Sequence, residues 1–289
     1  MNFEIVTDSS CNLTDEQIEQ YDLHIISLNY NIGDSVFYSY KKDKPTDLKS
    51  VYTSLRNKEK ITTSLISYSE AVSVIEPLLS EGKDVLYIGF SSGISGSFQN
   101  VCNVAEDLRE KYPNRKLYCV DSLCASMGEG LLVYYVLQMK NSGETIDICR
   151  DWAEQNKLKI CHNFTVDDLF FLKRGGRIGA TTALLGSLLG IKPVMKMDED
   201  GKLCVVAKAR GRKAALDALV DSMQEKAIEP EKQIVFISHG DCINDAEYVK
   251  TQVMSKLGVK EVVINYVDAV IGAHSGPGTL ALFFMGNKR

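Results

Sequence analysis

Three times in the first 140 residues a short apolar run ends in a polar tip and is followed by a helical pattern. Phe3-Glu4-Ile5-Val6-Thr7 ends at Asp8-Ser9-Ser10, and a capped helix start follows at Asn12-Leu13-Thr14-Asp15-Glu16. Val85-Leu86-Tyr87-Ile88-Gly89-Phe90 ends at Ser91-Ser92-Gly93, with a helix through Leu108. Leu117-Tyr118-Cys119-Val120 ends at Asp121-Ser122, and a long helix runs from about Met127 to Lys140. This alternation is the pattern of a parallel α/β sheet with right-handed crossovers. Ligands of such sheets gather at the carboxyl ends of the strands. The three polar tips are therefore expected on one functional edge.

His24 to Ile32 reads as a further strand and Asp47 to Asn57 as a helix. From about Leu158 the pattern changes. Val166 to Leu172 is helix-like and leads into Lys173-Arg174-Gly175-Gly176-Arg177-Ile178-Gly179. An apolar segment, Leu184 to Leu189, precedes Ile191-Lys192-Pro193-Val194. Met195-Lys196-Met197 and Leu203 to Ala207 flank the turn Asp198-Glu199-Asp200-Gly201 and predict a hairpin. Helices at 212–226 and 244–257 and strands at 234–238, 262–267 and 279–284 complete a mixed sheet with helices on one face. Two domains are expected, 1–157 and 158–289, with a short part near 63–80 packing against the second.

Net charge is −5, which argues against a nucleic-acid backbone as the main partner. The N-terminus reads as a strand rather than a signal peptide. No run approaches the ~18 apolar residues of a spanning helix. A cytoplasmic protein is the expectation. The eight cysteines form no C-x-x-C pair, so free thiols and no metal site are expected.

Several segments suggest ligand contact, each beside a plainer reading. Gly89 to Ser97 offers hydroxyls and free N–H groups at a helix start, an anion site or simply a helix cap. It matches neither the P-loop nor the dinucleotide fingerprint. Thr62-Thr63-Ser64 alone reads as another cap. Lys173-Arg174-Gly175-Gly176-Arg177 either binds an anion or pairs with Asp167 and Asp168. Arg210 and Arg212 open a helix, where cations are electrostatically misplaced, and this favours a functional reading. His239 reads as structural. Gly272-Ala273-His274-Ser275-Gly276-Pro277-Gly278 reads as a Gly-rich loop between two strands, in which His274 can give an anion a charge-assisted hydrogen bond.

Taken in order, these segments resemble the DegV family of bacterial fatty-acid-binding proteins, which includes the FakB subunits of fatty acid kinase. Those that carry the resemblance are Ile5-Val6-Thr7-Asp8-Ser9-Ser10, Thr63-Ser64, Ser91 to Ser97, Val120-Asp121-Ser122, Leu172 to Ile178, Ile191-Lys192-Pro193, Ala209-Arg210 and Ala273 to Gly278. The resemblance implies an α/β protein of two domains, a parallel three-layer α/β/α sandwich and a two-layer α/β domain with a mixed sheet. A long-chain fatty acid would lie between them. The family's carboxylate-binding Thr falls on Thr63, its Ser on Ser92 or Ser91, its Arg on Arg210 and its loop His on His274. Thr62, Ser64, Gly93 and Gly276 are secondary candidates. Where the family commonly reads Thr-Ser-Gln-Pro, this chain has Thr63-Ser64-Leu65-Ile66, which leaves acyl preference open.

The role so implied is a non-catalytic carrier without a cofactor. It would present a fatty acid to a separate ATP-dependent kinase for acyl-phosphate formation and phospholipid synthesis. Arg174 and Arg177 would help dock that kinase, and transient membrane contact would serve lipid exchange. Burying ~14 methylenes at roughly 0.8 kcal/mol each supplies about 11 kcal/mol before ordering costs. The segments 184–191 and 279–285 are candidate tunnel walls. A Ser-dependent lipid hydrolase, a small-molecule phosphotransferase and a lipid-sensing regulator are the alternatives.

Overall fold

The computed structural model describes residues 3–179 and 190–289. The apolar segment 184–189 lies outside the described residues. The first half contains β1 (Phe3–Asp8), α1 (Asp15–Gln20), β2 (His24–Ile26), β3 (Asn29–Ile32), β4 (Ser35–Tyr38), α2 (Leu48–Arg56), β5 (Ile61–Ser64), α3 (Tyr68–Ser80), β6 (Asp84–Gly89), α4 (Ser97–Lys111), β7 (Leu117–Asp121), α5 (Met127–Asn141) and α6 (Ile146–Asn156). The second contains β8 (Ile160–Thr165), α7 (Leu169–Arg174), β9 (Ile191–Met197), β10 (Leu203–Arg210), α8 (Arg212–Lys226), β11 (Ile234–His239), α9 (Ile243–Leu257), β12 (Glu261–Tyr266), α10 (Ala269–Ser275) and β13 (Leu280–Met285).

The first sheet has the order β2-β1-β6-β7 and is parallel throughout. Ile5 and Val6 are both buried although they point to opposite faces, as expected of a strand covered on both sides. The polar tips do lie at the carboxyl ends, but the protein uses them itself. The Asp8 carboxylate accepts from Ser10 N at 3.1 Å, Tyr87 Oη at 3.1 Å and Phe90 N at 3.0 Å. Asp121 Oδ1 accepts from Ser92 N at 3.2 Å and Leu123 N at 3.0 Å. These carboxylates brace the strand-end loops.

The expected strand from His24 to Ile32 divides in two. β2 joins the parallel sheet, while β3 enters a small antiparallel sheet of order β4-β3-β5. Leu28 N donates to Ser9 Oγ at 2.9 Å where the chain changes sheets. Thr62-Thr63-Ser64 is part of strand β5 and caps no helix. Ser67 caps α3 instead, in a reciprocal box with Glu70.

The second sheet has the order β10-β9-β8-β13-β11-β12, antiparallel except for β11 with β12. α8 and α9 cover one face through Leu216, Leu219, Val220, Val249 and Val253. The other face is covered by a helix from the first half of the chain. α5 packs against β8, β11 and β13 of this sheet and against β6 of the first. One apolar cluster therefore joins Leu86 and Ile88, through Leu132 and Val136, to Phe236 and Phe283.

The stretch predicted as a loop at 272–278 is mostly helical. Asp268 caps α10 by accepting from Val270 N at 3.2 Å and Ile271 N at 3.0 Å. The helix stops at Gly276, whose φ of +80° suits glycine.

Candidate functional site

A cavity opens between the two sheets, with about 700 Å³ of space unoccupied by protein atoms. Its wall is almost wholly apolar, with Phe90, Ile94, Phe164, Leu172, Val270 and Phe283 among the contributors. β13 of the 279–285 segment supplies Ala281 and Phe283, and Thr279 precedes it. The polar side chains in the wall are His162, Ser126, Ser238, Arg177, His274, Ser275 and Thr279.

Thr63 and His274 meet. Thr63 Oγ1 lies 2.8 Å from His274 Nε2 and joins β5 to α10. Burial, then the Arg177 and Arg174 guanidiniums, push the His274 pKa down to about 4. The imidazole is therefore neutral near pH 7. A cation is disfavoured in a half-buried place beside two others, and a neutral imidazole can still donate an N–H to an anion. Positive charge at this end comes from the arginines. Gly175 is required here, because a Cβ on it would lie 2.3 Å from His274 Nδ1.

Arg174 and Arg177 do not pair with Asp167 and Asp168. Asp167 takes Lys192 at 2.8 Å and Arg212 at 3.6 Å. Asp168 caps α7 by accepting from Phe170 N at 2.8 Å. Arg177 Nε donates to Ile94 O at 3.2 Å, and its Nη1 donates to Gly175 O. The Arg174 guanidinium lies 4.9 Å from the centre of the Phe171 ring. Neither arginine has a carboxylate partner among the described residues, so both leave charge available to an anion.

The remaining predicted residues have other surroundings. Ser91 is buried, and its hydroxyl donates to Gly201 O at 2.8 Å and accepts from Gly93 N at 3.2 Å. It latches the Ser-Gly loop to the β9–β10 turn. A Cβ on Gly93 would lie 2.4 Å from Asp200 O, so this glycine allows the same close approach. Ser92 is exposed, beside the cavity-lining Ile94. Thr62 and Ser64 flank Thr63 on β5, and Thr62 Oγ1 accepts from Asn31 Nδ2 at 3.4 Å. Gly276 packs under the Phe171 ring, where a Cβ would lie 2.6 Å from Cδ2. Arg210 is exposed at the end of β10 and is not in the cavity wall. Arg212, misplaced at a helix start, is compensated by Asp245 at 2.8 Å.

Sequence reasoning missed Ser126, Ser238 and His162 in the wall. Ser126 precedes α5 with φ 55° and ψ −146°, a strained backbone for a residue with a Cβ. Its Oγ donates to Asn12 Oδ1 at 2.7 Å and lies 2.9 Å from Ser238 Oγ. Gly128 allows the imidazole to approach, since a Cβ there would lie 2.2 Å from His162 Nε2. His162 Nε2 accepts from Ala125 N at 3.2 Å, which fixes the tautomer with hydrogen on Nδ1, 3.0 Å from Ile160 O.

The fold and the cavity together define an α/β protein with an apolar space between its sheets and a few hydroxyl, imidazole and guanidinium side chains in the wall. The family model described as "Uncharacterised protein, DegV family" matches residues 2–287. The DegV domain-containing protein CPE0026 of Clostridium perfringens is 40% identical over 287 residues, covering 99% of this chain and 98% of that protein. The chain belongs to the DegV family. A Thermus thermophilus structure described as fatty acid binding of a DegV family protein superposes with a TM-score of 0.89 at 26% identity, covering 99% of this chain and 100% of the other. Bacillus subtilis DegV, described as a fatty acid binding protein, gives 0.85 at 28% identity with coverages of 99% and 100%. The Streptococcus pneumoniae fatty acid kinase B3 protein, loaded with linoleic acid, gives 0.85 at 17% identity with the same coverages. This last likeness is one of fold. No helix among the described residues is long and apolar enough to cross a membrane.

Proposed function

We propose that this protein binds a long-chain fatty acid in the cavity between its two sheets and presents the carboxyl group to a separate ATP-dependent kinase. The observation that carries this reading is an apolar cavity with His274 and Arg177 in its wall and Thr63 against His274. Fatty acids named in the descriptions of the Thermus and Bacillus relatives support it.

A buried carboxylate needs donors or cations, or it protonates. In the Nε2–H tautomer His274 donates to Thr63, whose own hydroxyl hydrogen is then free for a carboxylate oxygen. Arg177 and Arg174 supply the counter-charge, and the exposed Ser92 is the second hydroxyl of this reading. The domains 1–157 and 158–289 would each contribute one wall. Arg210, exposed at the end of β10, serves the surface in this reading and not the cavity.

Native mass spectrometry of the purified protein, followed by solvent extraction, tests the reading. A stoichiometric fatty acid is expected. A protein that arrives empty and takes up no added fatty acid overturns it. Kinase-coupled turnover that survives Arg174→Glu with Arg177→Glu removes the docking role.

A further inference from the structure

Few buried polar side-chain atoms among the described residues lack a hydrogen-bond partner: His24 Nε2, Asn29 Oδ1, Thr165 Oγ1, Arg212 Nη1 and Ser275 Oγ. Ser275 is the one of these five that stands in the cavity wall. It is only 6% exposed.

Its place in the helix explains why. Val270 and His274, and Ile271 and Ser275, are pairs four residues apart on α10, and all four line the cavity. Such pairs share one helix face. Ser275 thus lines the cavity from the helix face adjoining that of His274, the residue that Thr63 meets. A helical serine usually satisfies its hydroxyl by bonding back to the carbonyl four residues earlier. Ser275 does not. The local backbone is fixed by other bonds, since Thr279 Oγ1 donates to Ser275 O at 3.0 Å and Gly276 N donates to Gly272 O at 2.8 Å.

We propose that Ser275 Oγ donates a hydrogen bond directly to the carboxyl group of the bound fatty acid, as a partner to Thr63. The proposal deepens the fatty-acid reading above and rests on it. An unpaired buried hydroxyl destabilises the empty protein, whereas an anionic oxygen in the cavity satisfies it. The hydroxyl therefore works against the empty state and for the loaded one. A side chain with only a packing role has no such opposed effect.

The test uses the full-length protein stripped of lipid, with oleic acid and methyl oleate as probes. Ser275→Ala is expected to weaken oleic acid binding about tenfold, as for a lost bond to a charged group. It should leave methyl oleate binding little changed and the empty protein at least as heat-stable as wild type. Ser275→Thr, which keeps a hydroxyl, is expected to retain most of the oleic acid affinity. Equal losses for acid and ester would place the serine against the acyl chain and overturn the assignment. So would a less stable empty Ser275→Ala protein, which means the hydroxyl is already satisfied, by a water for instance. Wild type that binds oleic acid alongside an unchanged variant removes Ser275 alone. Wild type that binds no oleic acid removes the fatty-acid reading and this assignment together.

Discussion

Thr63 Oγ1 and His274 Nε2 lie 2.8 Å apart, although 211 residues separate them in the chain. The contact ties a strand of the small antiparallel sheet to a helix that leads into the central strand β13. His274 lines the apolar cavity, so the contact anchors one of its polar wall residues. Replacing Thr63 by Val keeps the shape and removes the hydroxyl. Thr63→Val is expected to weaken oleic acid retention about tenfold while shifting stability by no more than about 1 kcal/mol. Isothermal titration and thermal melts check both. Unchanged affinity would show that the hydroxyl does not meet the ligand.

His274 gives a pH signature. Its folded pKa, about 4, lies below the ordinary 6.5. The unfolded chain therefore binds a proton here that the folded one does not. The contribution is fully present above pH 6.5 and is lost as pH falls toward 4, up to about 3 kcal/mol. Buried acids elsewhere slope the other way, so the informative quantity is the difference between wild type and His274→Gln. The variant should lose less stability between pH 7 and pH 5. A bound carboxylate should also raise the His274 pKa, visible as a shifted imidazole titration by NMR. An unmoved titration on saturation would place the carboxylate elsewhere.

Glu129 should hold a proton in the folded protein. Ser10 has one hydroxyl hydrogen, yet its oxygen is bonded to Asp8 Oδ1 and lies 3.0 Å from Glu129 Oε2. Thr7 Oγ1 donates to Glu129 Oε1 at 2.9 Å. The second Ser10 contact therefore needs a hydrogen from a carboxyl group. Burial, then the charge of Asp8, pushes the Glu129 pKa well up. A raised acid pKa means stability present below pH 4.5 and lost as pH rises through the folded value. Glu129→Gln is expected to be at least as stable as wild type at pH 7 and less sensitive to alkali. A strongly destabilised variant at pH 7 would show that the ionised form is the native one.

Gly175→Ala tests the seat of His274. The added Cβ would meet the imidazole 2.3 Å away, in a place closed by Phe171 O at 3.3 Å. Overpacking of this kind costs about 1–3 kcal/mol. The expected result is a destabilised protein with weakened oleic acid binding, whereas Gly143→Ala, at a site with nothing within 4 Å but φ +101°, should lower stability without touching affinity.

The parallel sheet was legible in the chain because strand, tip and helix are local patterns, written in periods of two and 3.6 residues. Helices 212–226 and 244–257 were legible within a residue for the same reason. α10 was read as a loop, because seven residues with Gly272 among them and Gly276 and Gly278 just beyond carry too short a period to outweigh the glycines; its signal was the cap at Asp268. The break between β2 and β3 has no marker in residues 24–32, since both halves alternate equally well and only pairing partners distinguish them.

Family membership, and Thr63 and His274 as two of the candidate carboxylate ligands, came from the resemblance carried by short motifs in order along the sequence. What the sequence alone determined is the set of local elements, and the residue types available at their ends. Only the tertiary structure decided which ends meet. It made α5 the layer shared by both sheets, took Ser91 and Asp8 for internal bonds, and left Arg210 outside the cavity. It also put Arg177 and the unpaired Ser275 in the wall. The reason is physical: whether a hydroxyl or guanidinium is free for a ligand depends on which distant backbone carbonyl reaches it first, and local sequence carries no record of that distance.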